Sequence, residues 1–140
     1  MDEVGTPFEF VVERGKIREF AKAMQCDNPA YDAQGAVVPP TFLASVTHWT
    51  PEGGRPPHGF DLKRLLHGEQ EYVFHGAPPR AGQRLTVQYR IADRYEKPGK
   101  RGGTMRFAVM VAEFRDEDGA LVAEQRSTFV ETAQGPKEDA

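Results

Sequence analysis

Four histidines, one cysteine and 21 carboxylates are the side chains of this sequence that could do chemistry near neutral pH. Cys26 opens the run Cys26-Asp27-Asn28-Pro29-Ala30-Tyr31, which places a thiol, a carboxylate and a phenol close together. The thiol could be a nucleophile, but a small buried thiol at the end of an amphipathic helix is the more ordinary reading. His67 stands two residues before Glu69 at the entry to a strand. It is either a substrate ligand or a structural histidine bonded to backbone. His48, His58 and His75 have no motif around them, and His58 falls in a Pro/Gly loop where exposure is expected. No His, Cys, Asp and Glu set has metal-ligand spacing, and no cofactor is expected. Lys97, Lys100, Arg101 and Arg106 make a basic patch around a Gly-containing loop: a solvated hairpin, or a site for phosphate groups or for the acidic face of a partner protein. Pro39-Pro40-Thr41-Phe42 reads as a helix start, whose Thr41 and Phe42 N–H groups could face a carbonyl oxygen.

These residues need elements to hold them. Residues 8–12 read as a short strand. Ile17, Phe20, Ala21 and Met24 recur at helical spacing, with Lys16, Arg18, Glu19 and Lys22 opposite, which predicts a helix ended by Asn28-Pro29. Residues 31–39 form a loop. Thr41 is a plausible cap for a helix over 42–49, whose residues are mostly apolar or small, so it needs covering on several sides. Residues 50–59 are rich in Pro and Gly and read as loop. The second half is β. A strand spans 69–75, with Tyr72 and Phe74 on one face, and 78–82 is a turn. Leu85, Val87, Tyr89 and Ile91 alternate with polar residues, and Met105, Phe107, Val109 and Val111 repeat the pattern. Residues 116–119 are a hairpin turn, 120–132 the last strand, and 133–140 a polar tail expected to be disordered.

Consecutive antiparallel strands with one apolar face each need an apolar cover. The segment from Thr41 supplies it. The fold class is therefore α+β: a single domain over residues 1–132, an antiparallel β-sheet wrapped around a central helix, the hot-dog arrangement. A small barrel or sandwich is the weaker possibility. In the preferred arrangement Phe42, Leu43, Val46 and Trp49 sit under the sheet and set the length of any apolar pocket there.

Composition excludes some functions. A net charge of -3 argues against a general nucleic-acid binder. The apolar runs are too short to span a bilayer. The N-terminus has no basic region followed by an apolar stretch, so no secretory signal is expected. A single cysteine excludes a disulfide within the chain and fits a reducing compartment. A cytoplasmic protein with a small-molecule or protein partner is expected.

At this point a resemblance enters. Leu66-His67-Gly68-Glu69-Gln70-Glu71-Tyr72 followed by Pro79-Arg80-Ala81-Gly82-Gln83-Arg84-Leu85-Thr86-Val87 resembles the MaoC-like dehydratase N-terminal family. So do Lys100-Arg101-Gly102-Gly103-Thr104-Met105, the helix over 17–24 with Asn28-Pro29 behind it, and Pro39-Pro40-Thr41-Phe42. The matches keep the family's order over residues 8–131. The resemblance implies reversible hydration of a trans-2-enoyl thioester, or dehydration of an (R)-3-hydroxyacyl thioester, carried on coenzyme A or acyl carrier protein. Active members carry the pattern Asp, any residue, Asn, Pro, an aliphatic residue, His. The water must lose a proton while the α-carbon gains one, so carboxylate and imidazole share the work.

Aligned on Asn28-Pro29, the sequence has Cys26 in place of the Asp and Tyr31 in place of the His. Asp27 is one position off, and one residue at a helix end turns a side chain by about 100°. No catalytic residue is therefore assigned. The resemblance implies a substrate-holding subunit, partnered as a homodimer or as a heterodimer with a MaoC-like subunit that carries the Asp/His pair. It implies substrate contacts at Tyr31, Pro40, Thr41, Phe42, His67 and Glu69, with Lys97, Lys100 and Arg101 meeting carrier phosphates. Neither nucleic acid nor membrane is expected as a partner. Two other functions stay open: a self-sufficient acyl-CoA thioesterase using Glu69, Asp32 or Asp27, and a binding module for an acyl ligand without chemistry.

Overall fold

A computed structural model describes residues 3–133. The chain runs β1 (Phe8–Val11), α1 (Arg14–Ala23), a 3-10 turn at Pro29–Tyr31, a central 3-10 helix at Phe42–Trp49, a 3-10 turn at Leu62–Arg64, then β2 (Leu65–Phe74), β3 (Arg84–Pro98), β4 (Thr104–Arg115) and β5 (Leu121–Glu131). The five strands form one antiparallel sheet in the order β1-β3-β4-β5-β2. This is the expected α+β hot-dog arrangement. Most of the tail, residues 134–140, lies outside the described residues.

Alternation explains the core. Leu85, Val87 and Tyr89 of β3, Met110, Ala112 and Phe114 of β4, and Ala123 of β5 are buried on one face. The central helix lays Phe42, Leu43 and Val46 against this face, all with no exposed surface. Phe42 bridges sheet and α1, its ring 6.3 Å from Phe10 and 5.6 Å from Phe20.

The helices differ from expectation in detail. The central segment is 3-10, and Thr41 makes no side-chain cap. At its other end Thr50 Oγ1 donates to the Val46 carbonyl at 2.9 Å. Trp49 is not wrapped by the sheet: it is 50% exposed, with Lys16 Nζ 3.4 Å from its ring centroid. A tight eight-residue segment can turn only part of its surface to the sheet, and the indole finds an amphipathic partner at the rim.

Asn28-Pro29 does not end α1. The Cys26 N–H reaches the Ala21 carbonyl and the Gln25 N–H reaches the Lys22 carbonyl, each at 2.9 Å, with Gln25 left-handed at φ 57°. This is a Schellman cap built on glutamine instead of glycine. Asn28 starts the next turn, its side chain accepting from the Ala30 N–H at 3.0 Å.

The strands run longer than the alternation indicates. β2 begins at Leu65, and His75 falls just beyond it. The turn at 116–119 forms as expected, with Asp116 Oδ1 accepting from the Asp118 and Ala120 N–H groups, both at 2.9 Å. No described helix is long and apolar enough to cross a membrane.

Candidate functional site

The chain leaving α1 turns back across that helix and encloses a cavity of about 540 Å³. Ala21 and Lys22 form one wall, and Cys26, Asp27, Pro29 and Tyr31 form the other. The Schellman cap aims the chain here. Arg14 and Arg18 approach Asp32 at 3.8 and 3.6 Å and close the loop onto the helix. The following segment is pinned to the start of β3: the Ala81 N–H donates to the Ala36 carbonyl at 2.8 Å, and the Val38 N–H to the Pro79 carbonyl at 3.1 Å. Tyr31 is half-buried and packs against the core from this rim.

Two expectations change here. Cys26 is not a buried helix-end thiol; it is half-buried and lines the cavity. Cys26 also lies beyond the helix, so the 100° rotation that removed Asp27 does not apply. Asp27 lines the same cavity. A thiol, a carboxylate and a phenol thus line one cavity, formed by the run that the resemblance aligns with the family's Asp and His.

A second, smaller cavity of about 250 Å³ lies between the central helix and the sheet. Ala44 and Thr47 of the helix and Arg55 of the following loop face Tyr89, Met110, Gln125 and Phe129 across it. Gln70 and Ser127 join from β2 and β5, with Ser127 Oγ donating to Gln70 Oε1 at 2.8 Å. The residues expected to line such a space, Phe42, Leu43 and Val46, are instead close-packed core.

His67 reaches this second cavity, its ring edge-on to Phe129 at 5.3 Å. Glu69 does not. Residues two apart share a face of a regular strand, but the register shifts between His67 and Glu69. The bulge at Gly68 sends Glu69 to the opposite face beside Thr128, 3.4 Å away, with Glu71, Tyr95 and Arg126. A Cβ on Gly68 would lie 3.0 Å from Val130 Cγ2, so any other residue at the bulge would make that valine shift.

Pro40 and Thr41 are exposed at the entry to the central helix. Phe42 is core, and its N–H donates to the Pro39 carbonyl at 3.0 Å. That N–H is spent on the 3-10 turn and is not offered to a carbonyl ligand.

The basic patch lies at the far end of the sheet. The first cavity sits by the start of β3, whereas Lys97, Lys100 and Arg101 surround the β3–β4 hairpin. About a dozen strand residues at ~3.3 Å each put roughly 40 Å between the two ends. One chain does not bring the patch to its own Tyr31 cavity. Lys97 instead sits 5.3 Å from the Phe107 ring centroid and 5.6 Å from that of Tyr95. Those two rings stack 4.6 Å apart.

Two further groups were not legible beforehand. His58 is half-buried between Phe60 and Phe129, each 5.5 Å away, and its Nδ1 accepts from the Phe60 N–H at 3.0 Å. Burial and then Arg94 and Arg55 push its pKa down, so it is neutral at pH 7. Glu131 is 3% exposed. It accepts from the Asp61 N–H at 2.7 Å and pairs with Arg106 and Arg64 at 2.5 and 3.2 Å. That backbone N–H first, and then Arg106, hold its carboxyl below the usual range.

Comparison with known proteins agrees with this fold. The model of the FAS1-like, dehydratase domain region matches residues 2–125. A UPF0336 protein of Saccharopolyspora erythraea is 33% identical over 93% of this chain and 85% of its own length. A UPF0336 protein of Streptomyces coelicolor is 43% identical over 58% of the chain; the match spans 59% of that relative. Among solved structures, the C-terminally truncated HadBC (3R-hydroxyacyl-ACP dehydratase) complex from Mycobacterium tuberculosis superposes with a TM-score of 0.74 at 26% identity, covering 92% of this chain and 95% of that one. The (R)-hydratase from A. caviae shares the fold, with a TM-score of 0.60 at 17% identity over 91% and 95% of the two chains. The chain belongs to the FAS1-like dehydratase-region family, within the MaoC-like hot-dog dehydratases.

Proposed function

We propose that this chain is the substrate-holding subunit of an (R)-specific enoyl-thioester hydratase/3-hydroxyacyl-thioester dehydratase. It acts on coenzyme A or acyl-carrier-protein thioesters beside a MaoC-like subunit that supplies the Asp/His pair. One observation carries this reading: a cavity forms around Asn28-Pro29, and Cys26 and Tyr31 line it at the positions where the family pattern has its proton-transferring pair. The likeness to HadBC, a 3R-hydroxyacyl-ACP dehydratase complex, supports it.

In hydration, the partner's base takes a proton from water as oxygen bonds to the β-carbon. The electrons of the double bond move to an enolate, and the α-carbon then takes a proton. This chain's part is to bind and orient. Tyr31 bounds the thioester end, while Ala44, Thr47 and His67 bound the acyl tail beneath the central helix. A partner has somewhere to dock. β2 is an edge strand whose Leu66 is 58% exposed, and an open strand edge invites another strand. The cationic hairpin at Lys97, Lys100 and Arg101 would serve a carrier phosphate bound largely by the other subunit.

The test is reconstitution. The chain is purified alone and with a subunit carrying the intact pattern, and hydration of crotonyl-CoA and longer enoyl-CoAs is followed. Activity of the mixture well above either component is expected. Activity of the partner unchanged by this chain would refute the reading.

A second reading draws on Asp27, which lines the cavity next to Cys26: a thioesterase complete in itself, with Asp27 activating water. Hydrolysis of acyl-CoAs by the pure chain, abolished in Asp27→Asn, would favour it over the first. Turnover no faster than buffer on every chain length would remove it.

A further inference from the structure

The cavity beneath the central helix is the wrong kind of space for a plain hydrocarbon tail. Its middle is polar. Gln125 is only 6% exposed, and its Oε1 has no hydrogen-bond partner among the described residues. A buried carbonyl oxygen left without a donor is costly, and such groups are rare in folded proteins. Ser127 and Gln70 beside it are already bonded to each other. At the mouth stands Arg55. It donates to Thr47 Oγ1 at 3.1 Å and lies 5.1 Å from the Tyr89 ring centroid, but it forms no ion pair among the described residues. The volume is small as well. About 250 Å³ is below the range of ordinary ligand pockets, so it takes a short segment and not a long chain.

We infer that this cavity selects a short acyl chain bearing a hydroxyl group beyond its β-carbon. The inference rests on the reading of the chain as a thioester-holding subunit and names its substrate class. A hydroxyl both donates and accepts. It can donate to the orphan Gln125 oxygen and accept from the Arg55 guanidinium. A ketone or a carboxylate only accepts, and leaves the glutamine oxygen unpaired. An unsubstituted tail would leave Gln125 Oε1 unpaired and desolvate Arg55 with nothing in return.

The experiment compares binding of matched thioesters to the full chain, alone and with the pair-carrying subunit, by calorimetry. The probes are hexanoyl-CoA and three hydroxyhexanoyl-CoAs with the hydroxyl on carbon four, five or six. At least one hydroxylated isomer is expected to bind about tenfold tighter than hexanoyl-CoA, equivalent to ~1.4 kcal/mol. That ratio is expected to collapse toward one in Gln125→Leu and in Arg55→Met. Measurable binding with all wild-type ratios near one overturns the hydroxyl preference and leaves the thioester-holding reading standing. A preference that survives both substitutions also overturns it, because the selection then lies elsewhere. Binding of no thioester in either setting overturns both readings. The wild-type ratio needs no variant to fold. Thermal unfolding provides a further check: Gln125→Leu removes an unpaired buried oxygen and should be at least as stable as wild type.

Discussion

The two cavities are built in different ways. The one at Cys26 and Tyr31 draws its walls only from Arg18 to Ala33, a helix end and the loop behind it. The one beneath the central helix gathers side chains from Ala44 to Phe129, placed by the register of four strands. A locally built site can lose its chemistry by point substitution while its walls stay, because neighbouring residues and the Asp32 ion pairs hold the loop. A site built across strands fixes shape and polarity together, because each position is also part of the sheet. On the proposed function, the first is where activity is gained or lost, and the second where specificity is set.

The sharpest way to break this contrast is to return the missing pair. Cys26→Asp with Tyr31→His restores the family pattern on intact walls. A positioned acid and base contribute about 10²–10⁴-fold. The double variant, with no partner subunit, is expected to hydrate crotonyl-CoA at least about 10²-fold faster than wild type. If it stays as inactive as wild type while folded, the local cavity is not a site from which only the pair was removed.

Next in size is the residue that joins the two regions. Phe42 touches α1 through Phe20 and the sheet through Phe10, and has no exposed surface. Phe42→Ala should cost about 3–5 kcal/mol of stability, read from urea unfolding. A cost below ~1 kcal/mol would mean that the central helix is not the keystone between the cavities.

A smaller effect depends on pH. Glu131 anchors the loop before β2 to β5 and β4. Its carboxyl is held below the ordinary value, chiefly by the Asp61 N–H and then by Arg106. A folded pKa below the unfolded one gives stability that is present above the unfolded value and lost as pH falls through the folded one. Wild type should therefore lose stability on acidification below the ordinary carboxylate range. Glu131→Gln should be less stable at pH 7 and lose less over that same interval. Parallel pH profiles for the two proteins would show that Glu131 is not the group responsible.

The alternation of β3 was legible because it repeats a simple physical rule: Leu85, Val87 and Tyr89 point inward as their spacing says. In β4 the same rule picks Met105, Phe107, Val109 and Val111, but Met110, Ala112 and Phe114 enter the core while Met105, Phe107 and Val109 are only half-buried. Both faces of β4 are apolar, so a period of two does not choose between them. The central cover was legible too, from a run of apolar residues that no surface helix would carry. Other features were hidden for particular reasons. β5 reads Ala123-Glu124-Gln125-Arg126-Ser127-Thr128-Phe129, mostly polar on both faces, so its inward residues emerge only once β4 fixes the register. A period of two from Ala123 through Gln125 and Ser127 to Phe129 was the available signal. His67 and Glu69 are both expected at the substrate, but one glycine bulge turns them to opposite faces. Trp49 was assigned inward because it is apolar, although an eight-residue 3-10 segment has too little surface to bury every large side chain against one sheet.

The end of α1 was misjudged because the usual signal, a glycine at the left-handed position, is absent. This leads to the smallest of the expected effects. Gln25 holds φ 57° in a cap whose two hydrogen bonds run through backbone groups alone. Any side chain with a Cβ meets its own backbone there, at about 1–2 kcal/mol. Glycine removes that penalty but returns part of it, because a freer unfolded chain loses about 0.5–1 kcal/mol more on folding. Gln25→Gly should therefore raise stability by up to ~1 kcal/mol, read as a higher urea midpoint with unchanged slope. The cap sets the direction in which the chain enters the cavity at Cys26, and the glycine preserves both hydrogen bonds. Assembled activity with the partner subunit should accordingly stay within about twofold of wild type. A loss of stability would show that the Gln25 side chain contributes contacts that outweigh its strain. A loss of activity without loss of stability would show that the local cavity depends on a rigid cap, and that its walls are less independent of the exact residue than the comparison with the sheet-built cavity implies.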